Sequence, residues 1–211
     1  SKTPRSFLSL IVINATKSPV SKAINYLCWL LFLLLFLISL WACLDIGQSW
    51  DEGIERLTLS INLAAIQGLI AGDMTAYREL LQYGDRYYGI GFHLPALLVS
   101  QILQQTLPDS IALNNPNLTH ISVLFCFFGS GLITRSILLR ITNQQTLANS
   151  GMLIFALWPY LLGHALMNVK DMPFLFAWLL CTYYALKYFF PDIDTDGGKA
   201  QGLIKRMMPL A

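Results

Sequence analysis

From residue 24 to residue 44 the chain reads INYLCWLLFLLLFLISLWACL, 21 positions without a charge. A helix of that length covers ~31 Å, enough to cross the hydrocarbon core of a bilayer. Trp41, near its end, suits an interfacial anchor. Four further apolar stretches follow, at 90–107, 118–139, 147–169 and 172–190. The first of these differs from the others. In IGFHLPALLVSQILQQTL, the polar positions His93, Gln101, Gln104 and Gln105 and the breaker Pro95 interrupt the run, and the apolar residues gather on one face. That pattern predicts an amphipathic helix lying in the interface rather than a lipid-exposed span. The expected fold is all-α and polytopic, with spans at 24–44, 118–139, 147–169 and 172–190. The loop 45–117 carries surface helices at roughly 54–72 and 91–107. Between them, YGDRYYGIG combines glycines and tyrosines and predicts an irregular segment.

Charge sets the topology. Only 12% of the 211 residues are charged and 55% are hydrophobic, against about a quarter charged in soluble domains. With 90–107 on the surface, one side of the membrane holds Lys2, Arg5, Lys17, Lys22, Arg135, Arg140, Lys187, Lys199, Lys205 and Arg206. The other side holds Arg56, Arg78, Arg86 and Lys170, so ten cations face four. The positive-inside rule makes the first side cytoplasmic. Were 90–107 to cross, the turn at Arg140 and the basic tail would both move outside. Residues 1–23 are then a cytoplasmic segment, 24–190 the membrane domain, and 191–211 a polar cytoplasmic linker. A start on Ser and an abrupt end after LIKRMMPLA read as a truncated piece of a longer chain.

A net charge of +2 gives no reason to expect a nucleic-acid partner. The cysteines Cys28, Cys43, Cys126 and Cys181 form no CxxC pair, so neither a disulfide framework nor a zinc site is indicated. No Gly-rich phosphate loop, HExxH or nucleophile elbow occurs. Two sequons, at 14–16 and 117–119, fall on the cytoplasmic side and against a span, so neither is a credible glycan acceptor.

The topology brings acids together. Asp51 and Glu52 open the outer loop, and Asp171 sits in the short turn MNVKDMP between two spans, on the same side. Acids often flank a span for solubility alone. Their return to one face, however, allows a shared substrate, and charge at membrane depth is costly enough to suggest function. A carboxylate there can take a proton from an acceptor hydroxyl. Lys170, Arg86 or His93 can stabilise a phosphate leaving group. The plain alternatives are that Arg86 pairs with Asp85 or lipid headgroups and that His93 is the polar tip of an amphipathic helix. His164 is expected to be an interhelical hydrogen-bonder. Asp45 keeps a flanking role, and the aromatic residues an interfacial belt.

With WDEGIERL at 50–57, YYGIGFHLPALL at 87–98 and HALMNVKDMPFLFAW at 164–178, the chain resembles the family 39 membrane glycosyltransferases of the GT-C fold. These are the protein O-mannosyltransferase and aminoarabinose transferase type. The resemblance covers the family's N-terminal part and implies a GT-C-like helix bundle with juxtamembrane helices in the first outer loop. It implies transfer of a sugar from a polyprenyl-phosphate donor to a protein, lipid or glycan acceptor, on the extracytoplasmic side of a bacterial inner membrane. Asp51 is implied as the catalytic base or the acceptor-orienting group, followed by Glu52, with Asp171 as the second acid. The family's Lys-Pro-Pro-like phosphate motif reads His-Leu-Pro here, at His93 to Pro95, and Lys170 is the replacement cation. Family members differ over metal; no metal is predicted at these acids, and a divalent ion is left open. The competing expectations are a polytopic transporter or flippase component, which would place ionisable groups near the midplane of its spans, and a structural subunit.

Overall fold

The computed structural model describes residues 18–95, 101, 102, 105 and 115–190. The expected N-terminal segment before residue 18, the linker 191–211, the sequon at 14–16 and most of the surface helix at 91–107 lie outside the described residues. Those that are described form helices and connecting turns, with no strand among them. In chain order they are α1 (Pro19–Asp45), α2 (Trp50–Ala71), α3 (Thr75–Gln82), α4 (Asn115–Thr142), α5 (Gln145–Leu157), α6 (Pro159–Ala165) and α7 (Asp171–Phe189).

Among the described residues, three single helices are long and apolar enough to cross a membrane: α1, α2 and the Leu118–Thr142 part of α4. The protein is therefore a helical membrane protein. Helix α1 starts where Ser18 caps it, its Oγ accepting from the Ser21 N–H, with Pro19 in the first turn. Helix α2, expected as a surface helix from 54, instead starts at Trp50 and has the length and composition of a crossing helix. It ends at Gly72, whose φ of 78° is the left-handed conformation that glycine adopts without a Cβ clash. The stretch 147–169, expected as one span, is two helices, α5 and α6, bent by 65°; together they are long and apolar enough for one broken span or a re-entrant loop. Pro159 supplies no N–H and disfavours a helical Trp158, which adopts φ −66° and ψ 113°. Helix α7 falls outside the set of three because charged ends and four tyrosine and tryptophan residues (Trp178, Tyr183, Tyr184, Tyr188) dilute its aliphatic run.

The core is the seam where α4 packs against α1, α5 and α7. Phe128 of α4 meets Phe32 and Phe36 of α1 edge-on at 5.1 Å, and Phe127 stacks on Phe155 of α5 at 5.3 Å. Small residues let the helices approach: a Cβ on Gly129 would lie 2.8 Å from the Phe176 ring of α7, and one on Gly131 3.1 Å from Phe32.

Side-chain contacts fix the direction of each helix. At one end, Asn149 of α5 accepts from Arg135 Nε of α4 at 2.7 Å and donates to Asn25 of α1 at 2.9 Å. Arg140 of α4 reaches the carbonyl of Phe190, just past α7, at the same end. The C-terminus of α1, the N-terminal turns of α2 and α4, and the N-terminus of α7 therefore share the opposite end. That end carries the acids.

Candidate functional site

Helix α2 turns a polar face toward the bundle. The spacing i, i+3, i+6 from its first turn puts Glu52, Glu55 and Thr58 on one side, and all three are buried. Trp50, Ile54 and Leu57, on the other side, are exposed. Such an arrangement is the reverse of a soluble amphipathic helix, as suits one whose outer face meets lipid.

The start of α2 is set by a capping box, in which the Glu52 carboxylate reaches back to the Ser49 backbone N–H at 2.8 Å. The same oxygen, Oε1, accepts from His120 Nε2 at 2.8 Å. His120 sits in the second turn of α4 and is 0% exposed. Its Nε2 therefore carries the proton, while Nδ1 is buried without a partner. Arg56 Nη2 lies 3.7 Å from the other Glu52 oxygen. Glu52 thus ties the beginning of α2 to α4. Asp51, one residue earlier, is exposed, and its carboxylate makes no hydrogen bond or ion pair to another described residue.

The second acid is held by an asparagine. In the turn after α6, Asn168 Oδ1 accepts from the backbone N–H groups of Lys170 at 3.1 Å and Asp171 at 2.8 Å, and so starts α7. Its amide nitrogen donates to Asp171 Oδ2 at 2.9 Å and to His164 Nδ1 at 2.8 Å. His164 was expected to bond between helices; its bond is instead local, four residues along the chain, and its ring lies 4.4 Å from that of Tyr160. The bend at Trp158 is what turns this segment across the end of the bundle.

Asp51 and Asp171 line one cavity of about 210 Å³, together with Ser49, Glu52, Glu55, His164, Asn168 and Lys170. Lys170 forms an ion pair with the buried Glu55 and lies 4.1 Å over the Tyr88 ring. Partial burial lowers the affinity of Lys170 for its proton. The hydrogen bond and charge of Glu55, with Tyr88 and Asp51, outweigh this and raise it above the usual lysine range. His93 approaches the second Glu55 oxygen, its Nε2 at 3.5 Å, yet neither ring nitrogen has a hydrogen-bond partner. Burial holds its pKa below the usual histidine range; Glu55 acts to raise it and Lys170 to lower it.

Beyond Lys170 lies a second hollow, a groove of about 590 Å³. Tyr88, Phe92, Pro173, Phe174 and Ala177 line it, with His93, Lys170 and Asp171 at its polar edge. Val169, Lys170 and Asp171 border both hollows. Lys170 therefore stands between an acidic cavity and an apolar groove.

Of the residues singled out from sequence, Asp51, Glu52, Asp171 and Lys170 meet at the cavity and His93 at the groove. Arg86 lines neither; it donates to the Tyr83 carbonyl at 3.1 Å and the Tyr87 hydroxyl at 2.9 Å and lies over the Tyr87 ring. Sequence reasoning missed Glu55, His120 and Asn168. Signals for two of them were present. Ser-Trp-Asp-Glu at 49–52 is a capping-box pattern, and the helix start it fixes puts Glu55 on the face of Glu52. A histidine near the start of a span, as His120 is, calls for a partner. Among the described residues, no group of three or more His, Cys, Asp or Glu is placed to hold a metal ion. Compared with protein-family models, with curated proteins and with solved structures, the chain gives no match in any of the three.

Proposed function

We propose that the chain is part of a membrane glycosyltransferase that moves a sugar from a polyprenyl-phosphate donor to a hydroxyl of a protein, lipid or glycan acceptor. In this reading the bundle is GT-C-like and lies in a bacterial inner membrane, its acid end extracytoplasmic. The observation that carries the proposal is the convergence of Asp51 and Asp171 on one cavity whose border, Lys170, adjoins an apolar groove. An acid-lined cavity suits a polyhydroxylated acceptor, and an apolar groove with a cation at its rim suits a lipid-linked phosphate.

The chemistry follows from placement. Asp51, unpaired and exposed to the cavity, takes the proton of the acceptor hydroxyl. The acceptor oxygen attacks the anomeric carbon, the bond from that carbon to the phosphate oxygen breaks, and polyprenyl phosphate leaves with the electron pair. The sugar is inverted. Lys170 stabilises the charge that develops on the leaving phosphate. Asp171, fixed by Asn168, orients the acceptor. Glu52 keeps Asp51 in position by holding the start of α2.

The test is sugar transfer from a labelled polyprenyl-phosphate donor by the full-length protein, with Asp51→Asn and Asp171→Asn alongside. Both variants are expected to lose turnover; normal turnover in both sinks the assignment. Cysteines introduced at Asn115 and Asn143 check the topology, since position 115 must label from outside and 143 from inside.

A further inference from the structure

Glu55 has two oxygens facing two different bases. Oε1 is paired with Lys170, and Oε2 lies 3.5 Å from His93 Nε2, which is buried and has no hydrogen-bond partner. The Glu55 side chain is only 7% exposed, so a change of partner cannot be made up by water. A charge buried to this degree needs a cation beside it. Two are available, and they differ in kind. Lys170 has a mobile stem and borders both hollows, whereas His93 belongs to the rim of the groove alone.

We propose that Glu55 is a positioning residue that exchanges partners: it holds Lys170 in the unliganded protein and takes His93 when Lys170 engages an anion in the groove. The exchange needs one proton, taken from solvent onto His93 Nε2, which converts a 3.5 Å approach into a charged hydrogen bond to Glu55. No covalent bond other than that new N–H changes; the Lys170–Glu55 ion pair is given up and replaced by Lys170 with the anion. The groups that face His93 are Glu55 of α2, Lys170 and Asp171 at the start of α7, and Tyr88 across the groove. While Lys170 neutralises Glu55, the pull of Glu55 on a positive charge at His93 is opposed by Lys170 and by burial. Once Lys170 turns to the anion, the same charge is attracted by a bare buried carboxylate. Anion capture and proton uptake are therefore linked, and each strengthens the other. The anion class that fits is a phosphodiester on an apolar chain; this rests on the donor reading proposed above, while the exchange itself does not.

Two measurements separate them. The first uses no ligand. The chain has three histidines, so their titration can be followed by NMR in detergent, with His93→Gln assigning the signal. Lys170→Gln mimics removal of the lysine from Glu55. It is expected to raise the His93 midpoint by a unit or more, a tenfold gain in proton affinity, and Lys170→Gln combined with Glu55→Gln is expected to abolish that rise. An unchanged His93 midpoint in Lys170→Gln overturns the exchange. The second measurement titrates the full-length protein with a short-chain isoprenyl phosphodiester, whose phosphate does not ionise between pH 5.5 and 8. Affinity is expected to rise about tenfold as pH falls through this range in the wild type, and to stay flat in His93→Gln. Equal pH dependence in both overturns the linkage. A raised His93 midpoint in Lys170→Gln, with no phosphodiester bound by the wild type, supports the exchange and overturns the donor reading.

Discussion

Two buried polar clusters, one around Asn149 and one around Glu52 and Glu55, solve the same problem in opposite ways. At the Asn149 end a buried polar side chain bridges three helices, and each half of its amide has an answer: Arg135 on the oxygen, Asn25 on the nitrogen. Arg135 is further covered by the Trp29 ring at 5.3 Å. At the Asp51 end, buried groups also meet across helices, yet valences are left over. His120 Nδ1 and both nitrogens of His93 have no partner, and Asp51 faces an open cavity. A satisfied network specifies how helices pack. An unsatisfied one beside a cavity leaves groups that a ligand can answer, and in the reading proposed above this contrast, more than the number of acids, distinguishes the Asp51 end.

The largest effect expected is chemical. Asp51→Asn should lower sugar transfer about 100-fold or more, the lower range for a lost general base, with the unfolding midpoint unchanged. A stability loss of the same rank would instead place Asp51 with the structural groups. Next comes His120→Phe, which takes from the buried Glu52 carboxylate its hydrogen bond to α4 and leaves it the one from the Ser49 N–H. It should cost about 1–3 kcal/mol, as for a buried group left without its hydrogen bond, and lower turnover too; Glu52→Gln, which keeps an acceptor for His120, should be milder. Unfolding in detergent and turnover per folded molecule read the two parts separately.

At the other end, Asn149→Leu should also destabilise by about 1–3 kcal/mol by orphaning Arg135, but leave turnover per folded molecule intact. A fall in turnover without a fall in stability would erase the distinction between the ends. A smaller effect is set by pH. Because His93 titrates below its unfolded value of about 6.5, the unfolded chain takes the proton first. The stability gained from burying a neutral imidazole is therefore complete above about pH 6.5 and is lost as pH falls toward the lower folded value. His93→Gln should flatten that slope of stability against pH. The smallest change is Tyr88→Leu, which removes the ring under Lys170 and should cost about 0.5–1 kcal/mol of Lys170 anchoring, seen as weaker anion binding rather than loss of fold.

How much of this was legible in the chain differs from element to element. The run 24–44 announces α1 because 21 uncharged positions admit hardly another reading. Loop charges alone were enough to expect Asp51 and Asp171 on one side, and the two do line one cavity. The pattern failed where position depends on rotation about an axis. Glu55 looks like one more charge in WDEGIERL until the capping box fixes which residue begins the helix. The identity of Lys170's partner was likewise out of reach, because the pair spans 115 positions of chain. The bend in 147–169 had a visible cause in Pro159. Hydropathy averages over it, since proline within an apolar window lowers the mean only slightly.

That bend has a consequence for depth. A straight helix of 13 residues rises ~20 Å, against ~30 Å for the hydrocarbon layer. If α5 begins near one face, the short arm α6 leaves the axis about two-thirds of the way across and carries the Asn168 turn sideways instead of outward. The Asn168 turn, which borders the acid cavity, then lies to the side of α5 rather than in line with it. In the reading proposed above, that sideways displacement opens the cavity toward a lipid-linked donor from the flank of the bundle, beside the bend, instead of from its tip.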